Sequence, residues 1–124
     1  MSARPIAFES VTPIFVVHDL PQALEFYQAV LGFDLGWSWG EPPHIASVCR
    51  DRVEVNLAQH SAATTQGPSH AYFRIAAIGD YYAQLQQLGA KITVALADRP
   101  YGMSDFTIED SSGNRLSFGQ ATVG

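Results

Sequence analysis

The stretch VTPIFVVHDLPQALEFYQAVLGF, from Val11 to Phe33, decides the fold. Its first seven residues are β-branched and aromatic, which predicts a strand, and Pro13 marks that strand as an edge or an irregular ladder. Asp19-Leu20-Pro21 then opens a helix, with Asp19 as N-cap and Pro21 in the first turn. Apolar residues recur at Leu20, Ala23, Leu24, Phe26, Tyr27, Val30 and Leu31. That is the i, i+3, i+4, i+7 stripe of an amphipathic helix with one face on a core. Gly32 is placed to end it.

Three strand-like stretches follow. Phe33 to Trp39 runs into the turn Gly40-Glu41-Pro42-Pro43, and His44 to Arg50 joins Val53 to His60 through a tight Asp51-Arg52 hairpin. Val53, Val55 and Leu57 alternate with Glu54, Asn56 and Ala58, so one face meets a core and the other a wetter space. Ser61 to Ser69 is small and polar and reads as a linker. The order then begins again. His70 to Ile75 is a strand, Asp80 to Leu88 a helix stopped by Gly89, and Lys91 to Ala97 a strand. After a loop over Asp98 to Ser104, Phe106 to Glu109 and Arg115 to Gly119 form a hairpin around Asp110–Asn114.

Phe15 matches Phe73, Val17 matches Ile75, and Leu31-Gly32 matches Leu88-Gly89, a repeat about 57 or 58 residues long that occurs twice. The pattern predicts an α+β fold of two paired β-α-β-β-β modules, over about 8–60 and 69–120 with a linker at 61–68, in one domain spanning residues 1–124. Their strands would curl into an open, curved mixed sheet with helices outside and a concave ligand site inside.

Composition narrows the function. Of 124 residues 47% are hydrophobic and 15% charged, which excludes a disordered chain. Seven Lys and Arg face twelve Asp and Glu, a formal charge of -5, and no basic run serves phosphate contacts. Nucleic acid is therefore not the expected partner, and a cationic or neutral ligand suits the balance better. No apolar run reaches the roughly 20 residues of a membrane span. The segment MSARPIAFES lacks the features of a secretory signal, and Cys49 stands alone, so a reduced, cytoplasmic setting is expected. No nucleophile–base–orienter motif is present.

Val17-His18-Asp19-Leu20, Phe26-Tyr27 and Leu31-Gly32-Phe33, with Glu109-Asp110-Ser111-Ser112-Gly113-Asn114, resemble the vicinal oxygen chelate superfamily, which includes glyoxalase I, extradiol dioxygenases and bleomycin-resistance proteins. The likeness runs from about Val11 to Phe118. It implies four inward positions that hold a divalent metal in some members. They fall here on Thr12, Asn56, His70 and Ser117, of which only His70 is a strong metal ligand. No metal and no other cofactor are therefore expected.

Ser47–Val53 and Arg99-Pro100-Tyr101-Gly102 are similar to segments of the metal-free, bleomycin-resistance-like branch. That similarity implies a homodimer sequestering an aromatic ligand in an interface groove, with exchange of residues Met1 to Ser10 a further possibility. The alternative is a glyoxalase-like lyase, isomerase or dioxygenase, including a metal-free enzyme with His70 as general base.

The candidate ligand residues are Trp37, Trp39, Asn56, His70, Tyr72, Tyr101 and Ser117. Trp37 and Trp39 share a strand face and either stack on a planar ligand or fill a core or dimer interface. His70, Tyr72 and Arg74 should face the concavity, with Arg74 expected to pair with Glu54. Asn56 and Ser117 either orient a polar ligand or satisfy each other or water. Tyr101 lies in a Pro/Gly loop that either closes over a ligand or packs on Phe106.

Overall fold

Each half of the chain builds a four-stranded sheet carrying one helix. The computed structural model describes residues 5–62 and 67–122, so part of the expected linker and residues 1–4 of the expected exchange arm lie outside the described residues. The first half comprises β1 (Ile14–Val17), α1 (Leu20–Ala29), β2 (Asp34–Trp39), β3 (Ile45–Arg50) and β4 (Val53–Gln59). The second comprises β5 (His70–Arg74), α2 (Ile78–Gln87), β6 (Lys91–Asp98), β7 (Met103–Glu109) and β8 (Arg115–Ala121). The strand orders are β1-β4-β3-β2 and β5-β8-β7-β6. In each, only the pair formed by the first and last strands is parallel.

Among the described residues the two sheets share no strand pairing, so each remains open. The expected loop at Asp98–Ser104 shrinks because β6 and β7 extend toward each other, with Asp98 opposite Ser104.

The first helix begins where its chemistry dictates. The Asp19 carboxylate accepts the Gln22 N–H at 3.0 Å, Pro21 has no N–H to satisfy, and Leu20 N–H donates to Gln59 Oε1 at 2.7 Å. Gly32 ends the turn with φ of 79°, a conformation open to glycine at little cost. The second helix starts two residues earlier than its sequence suggests. Ala77 precedes it in a left-handed conformation and offers no side-chain cap, while Gln120 Oε1 accepts the Ile78 N–H at 3.0 Å.

Strand alternation sends Phe15, Val17, Val55 and Leu57 from one half, and Phe73, Phe106, Leu116 and Phe118 from the other, into one apolar cluster. Phe118 lies at its centre, 5.3 Å from the rings of Phe73 and Phe106 and 5.2 Å from Tyr81. Polar bonds then fix how the halves meet. Asp110 Oδ2 accepts the Tyr27 hydroxyl at 2.9 Å and the Asn114 side-chain amide at 3.0 Å. Asp110 Oδ1 takes the Ser112 and Asn114 backbone N–H groups, each at 2.9 Å.

Asn114 Nδ2 also donates to the Val16 carbonyl, and its Oδ1 accepts the Ser69 N–H, both at 2.9 Å. Burial and the neighbouring Asp110 hold the Tyr27 hydroxyl well above its usual ionisation range, so it stays a donor. The sequence makes Glu109-Asp110 a hairpin turn only. In the fold Asp110 is buried and joins that hairpin to α1.

Replacing Asn114 by Ala removes its three side-chain bonds, to Asp110, the Val16 carbonyl and the Ser69 N–H, and leaves the Val16 carbonyl unsatisfied. The expected loss is about 2–4 kcal/mol of unfolding free energy, against about 1 kcal/mol for Tyr27→Phe, measured by urea denaturation. An Asn114→Ala loss no larger than about 0.5 kcal/mol, the scale of an ordinary surface change, would refute this account of the joint.

Candidate functional site

The sheet faces turned away from the helices carry the polar and aromatic residues. On the first sheet the register sets Ile14, Asn56, Ser47 and Trp37 in one row, with Ala58, Ile45 and Trp39 beside it. Trp37 is 45% and Trp39 70% exposed, which rules out the core reading for both. They lie beyond the β2 register shift on the outermost strand of the sheet among the described residues.

Glu54 sits on the same face and is held in place: its Oε2 accepts the Ser47 hydroxyl at 2.5 Å and its Oε1 the Thr12 hydroxyl at 3.5 Å. This overturns the expected Arg74–Glu54 pair, since the two residues stand on separate sheets and Glu54 finds its partners on its own. Asn56 Oδ1 is buried and has no hydrogen-bond partner among the described residues. An acceptor so placed is costly unless something donates to it.

On the second sheet Tyr72, Ser117, Thr107 and Val94 form the matching row. His70 Nε2 lies 2.7 Å from Ser117 Oγ, which lies 2.7 Å from Thr107 Oγ1, a continuous polar chain. Ser117 and Asn56 therefore do not satisfy each other. Beside that chain Asp105 is a hub. Its Oδ2 accepts the Tyr72 hydroxyl at 3.0 Å and the Tyr101 hydroxyl at 2.6 Å, and its Oδ1 accepts Arg99 Nε at 2.8 Å.

Burial alone would raise the Asp105 carboxyl. The donated bonds from Tyr101, Arg99 and Tyr72 outweigh that and hold it below its usual value. Tyr101 thus packs its hydroxyl on Asp105, where sequence alone had offered Phe106 as its packing partner. Glycine at 119 is required here, because a Cβ would overlap the Tyr72 ring and hydroxyl.

The residues gather into two groups on different sheets. Trp37, Trp39 and Asn56 lie on the first open face, joined by Glu54 and Ser47. His70, Tyr72, Tyr101 and Ser117 lie on the second, joined by Asp105, Arg99 and Thr107. Asp105 escaped sequence reasoning because its importance depends on three donors from β5 and the β6–β7 loop. Period-two alternation with Asn56 was the available signal for Glu54.

The four family metal positions do not fit a divalent ion. Thr12 hydrogen-bonds to Glu54, His70 bonds Ser117, and threonine, serine and asparagine are weak donors to such metals. No three His, Cys, Asp or Glu side chains converge among the described residues.

The model of the Glyoxalase/Bleomycin resistance protein/Dioxygenase superfamily matches residues 9–118. Among solved structures, TioX from Micromonospora sp. ML1 superposes with a TM-score of 0.80 at 16% identity, over 92% of this chain and 99% of that one. TnmS3, an antibiotic binding protein from Streptomyces sp. CB03234, gives 0.80 at 21% identity, over 95% and 100%. Lactoylglutathione lyase from Agrobacterium tumefaciens gives 0.74 at 19%, over 94% and 95%. Curated proteins give no significant match.

The Asp105 hub has a pH signature. A carboxylate depressed in the folded state adds stability above its unfolded pKa, and that stability is lost as pH falls through the folded value. Acidification from neutrality to below the ordinary carboxylate range should therefore lower the melting temperature of wild type more than that of Asp105→Asn. Equal acid sensitivity in thermal scans would contradict the hub.

Proposed function

The chain belongs to the Glyoxalase/Bleomycin resistance protein/Dioxygenase superfamily, and within it we propose that it is a metal-independent binding protein that sequesters an aromatic, cationic small molecule. The observation that carries this reading is the first open face, where two exposed tryptophans stand on the same side as the Glu54 carboxylate and the unpartnered Asn56 Oδ1. Each component suits one part of such a ligand. Indole faces stack on a planar ring and attract positive charge through their quadrupole. Glu54 supplies the counter-charge, and Asn56 Oδ1 accepts an N–H. No bond need be made or broken.

A homodimer completes the site in this reading. Ile6, Phe8 and Val11 are each at least 90% exposed, and Ile14, Trp37 and Trp39 add exposed apolar side chains on the open face of the first sheet. Exposed apolar area of this extent favours burial against a partner. A second copy bringing its own β5–β8 face over the tryptophans would enclose a groove, with Tyr72, Tyr101, His70 and Ser117 as polar walls. The likeness to TnmS3, described as antibiotic binding, supports the class of ligand.

Metal-free bleomycin, an aromatic cation, is the first probe. Saturable quenching of tryptophan emission is expected, with a single ligand per protomer. Trp39→Ala and Glu54→Gln should each weaken binding by about tenfold, and Glu54→Gln should also flatten its salt dependence. A monomeric protein whose emission ignores bleomycin and other aromatic cations would sink the proposal. Turnover of a small metabolite that collapses in His70→Ala would favour the enzyme alternative.

A further inference from the structure

The internal repeat exposes a difference between its halves. Each helix meets the hairpin of the opposite module: α1 meets the β7–β8 turn, and α2 meets the β3–β4 turn. The first joint is filled. Its five-residue turn, Asp110–Asn114, bonds Tyr27, the Val16 carbonyl and the His18 N–H, the last through Ser112 Oγ at 3.0 Å. At the second joint the turn is only Asp51-Arg52, and a cleft of about 570 Å³ remains between it and the start of α2.

The walls of that cleft are chemically distinct from the rest of this acidic chain. Arg50, Arg52 and Arg74 all line it, three of the seven cationic residues, set against Asp51 and Asp80. Arg50 is anchored, donating through Nη1 to the Leu31 carbonyl at 2.8 Å with its guanidinium 5.2 Å from the Tyr81 ring centroid. The Arg52 and Arg74 side chains make no hydrogen bond or ion pair among the described residues, and the Arg74 charge also acts on the Tyr72 hydroxyl, its neighbour on the same face of β5. Val53, Ile75 and Tyr81 add an apolar side. Burial pushes the Tyr81 hydroxyl up to about 12 despite Arg50 beside it, so this wall carries no negative charge at neutral pH.

Backbone donors point the same way. Fifty-eight residues beyond Asp19, Pro21 and Gln22 stand Ala77, Gly79 and Asp80. The first three residues of α1 leave no donor open, because Gln59 accepts the Leu20 N–H, Pro21 has none and Asp19 accepts the Gln22 N–H. At α2 the N–H groups of Gly79 and Asp80 have no partner among the described residues, nor has that of Ala76, the counterpart of His18.

We propose that this cleft is a second binding site, separate from the tryptophan face, for a small amphipathic monoanion such as an aromatic carboxylate. With the Arg74 charge shared with the Tyr72 face, the cleft holds at most one positive charge beyond its two carboxylates, which matches a single negative charge better than a polyphosphate. Arginine with its planar fork suits a carboxylate, the open N–H groups add donors, and the apolar side takes the hydrophobic body.

The test is a nitrogen-15 NMR titration of the full chain with phenylacetate, with phenylacetamide as the neutral counterpart. Saturable shifts are expected at the amides of Ala76, Gly79 and Asp80, and phenylacetamide should bind at least about tenfold more weakly. Arg52→Gln, an exposed change that spares the melting temperature, should weaken phenylacetate by about tenfold. Gly79→Pro copies the α1 solution into a position where a Cβ meets nothing within 4 Å. It should weaken binding by about threefold while the helix stays folded. Absence of shifts at these amides, equal affinity for the two probes, or indifference to Arg52→Gln would each overturn the proposal. The indole signals of Trp37 and Trp39 report the other site separately, so either reading can fail without the other.

Discussion

Asp110 is the constraint on which the rest of the structure depends. Its carboxylate is buried between the two halves, and a buried carboxylate is tolerable only when its lone pairs are filled. Tyr27 of α1, the Asn114 amide and two backbone N–H groups fill them. Those donors come from both modules, so satisfying one charge fixes the angle at which the halves meet. Apolar contact alone is non-directional and would permit sliding. With this bond set in place, the helix-covered faces share a core and the other two faces are left open.

Those open faces follow different rules. The second is largely satisfied from within: Asp105 takes three donors, and His70, Ser117 and Thr107 bond in sequence. Such a network preorganises its side chains, because rotating one costs the bonds of its neighbours. The first face holds a carboxylate positioned by two hydroxyls, an acceptor without a donor among the described residues, and two exposed aromatic rings. One face is thus a satisfied polar wall, while the other presents exposed rings and a buried acceptor with no donor among the described residues.

The two halves share one element order and one sheet topology, and local chemistry makes their joints differ. Gln59 and Gln120 each accept the first N–H of the helix in their own module. Beyond that shared bond the two helix starts diverge, through Asp19 and Pro21 in one and Ala77 and Gly79 in the other. The hairpins diverge as well, five residues against two. A repeat can thus keep its core while its joints take on separate properties.

By itself the sequence determined the elements and their order. The α1 stripe, its Asp19 cap, the Gly32 stop, the alternation of β4 and β5 and the internal repeat all depend on neighbours within a few residues, and local periodicity records such relations. It also placed Trp37 and Trp39 on one face, because that needs only the pleat of a strand. Tertiary structure alone decided what Glu54, Asp105 and Asp110 touch. Arg74 was matched to Glu54 on charge, yet the nearer hydroxyls of Ser47 and Thr12 hold that carboxylate. Asp105 and Asp110 gained their roles from donors up to 83 residues away. Pairings of that range leave no periodic trace in a single chain, since they are selected by packing geometry and by the need to satisfy every buried charge.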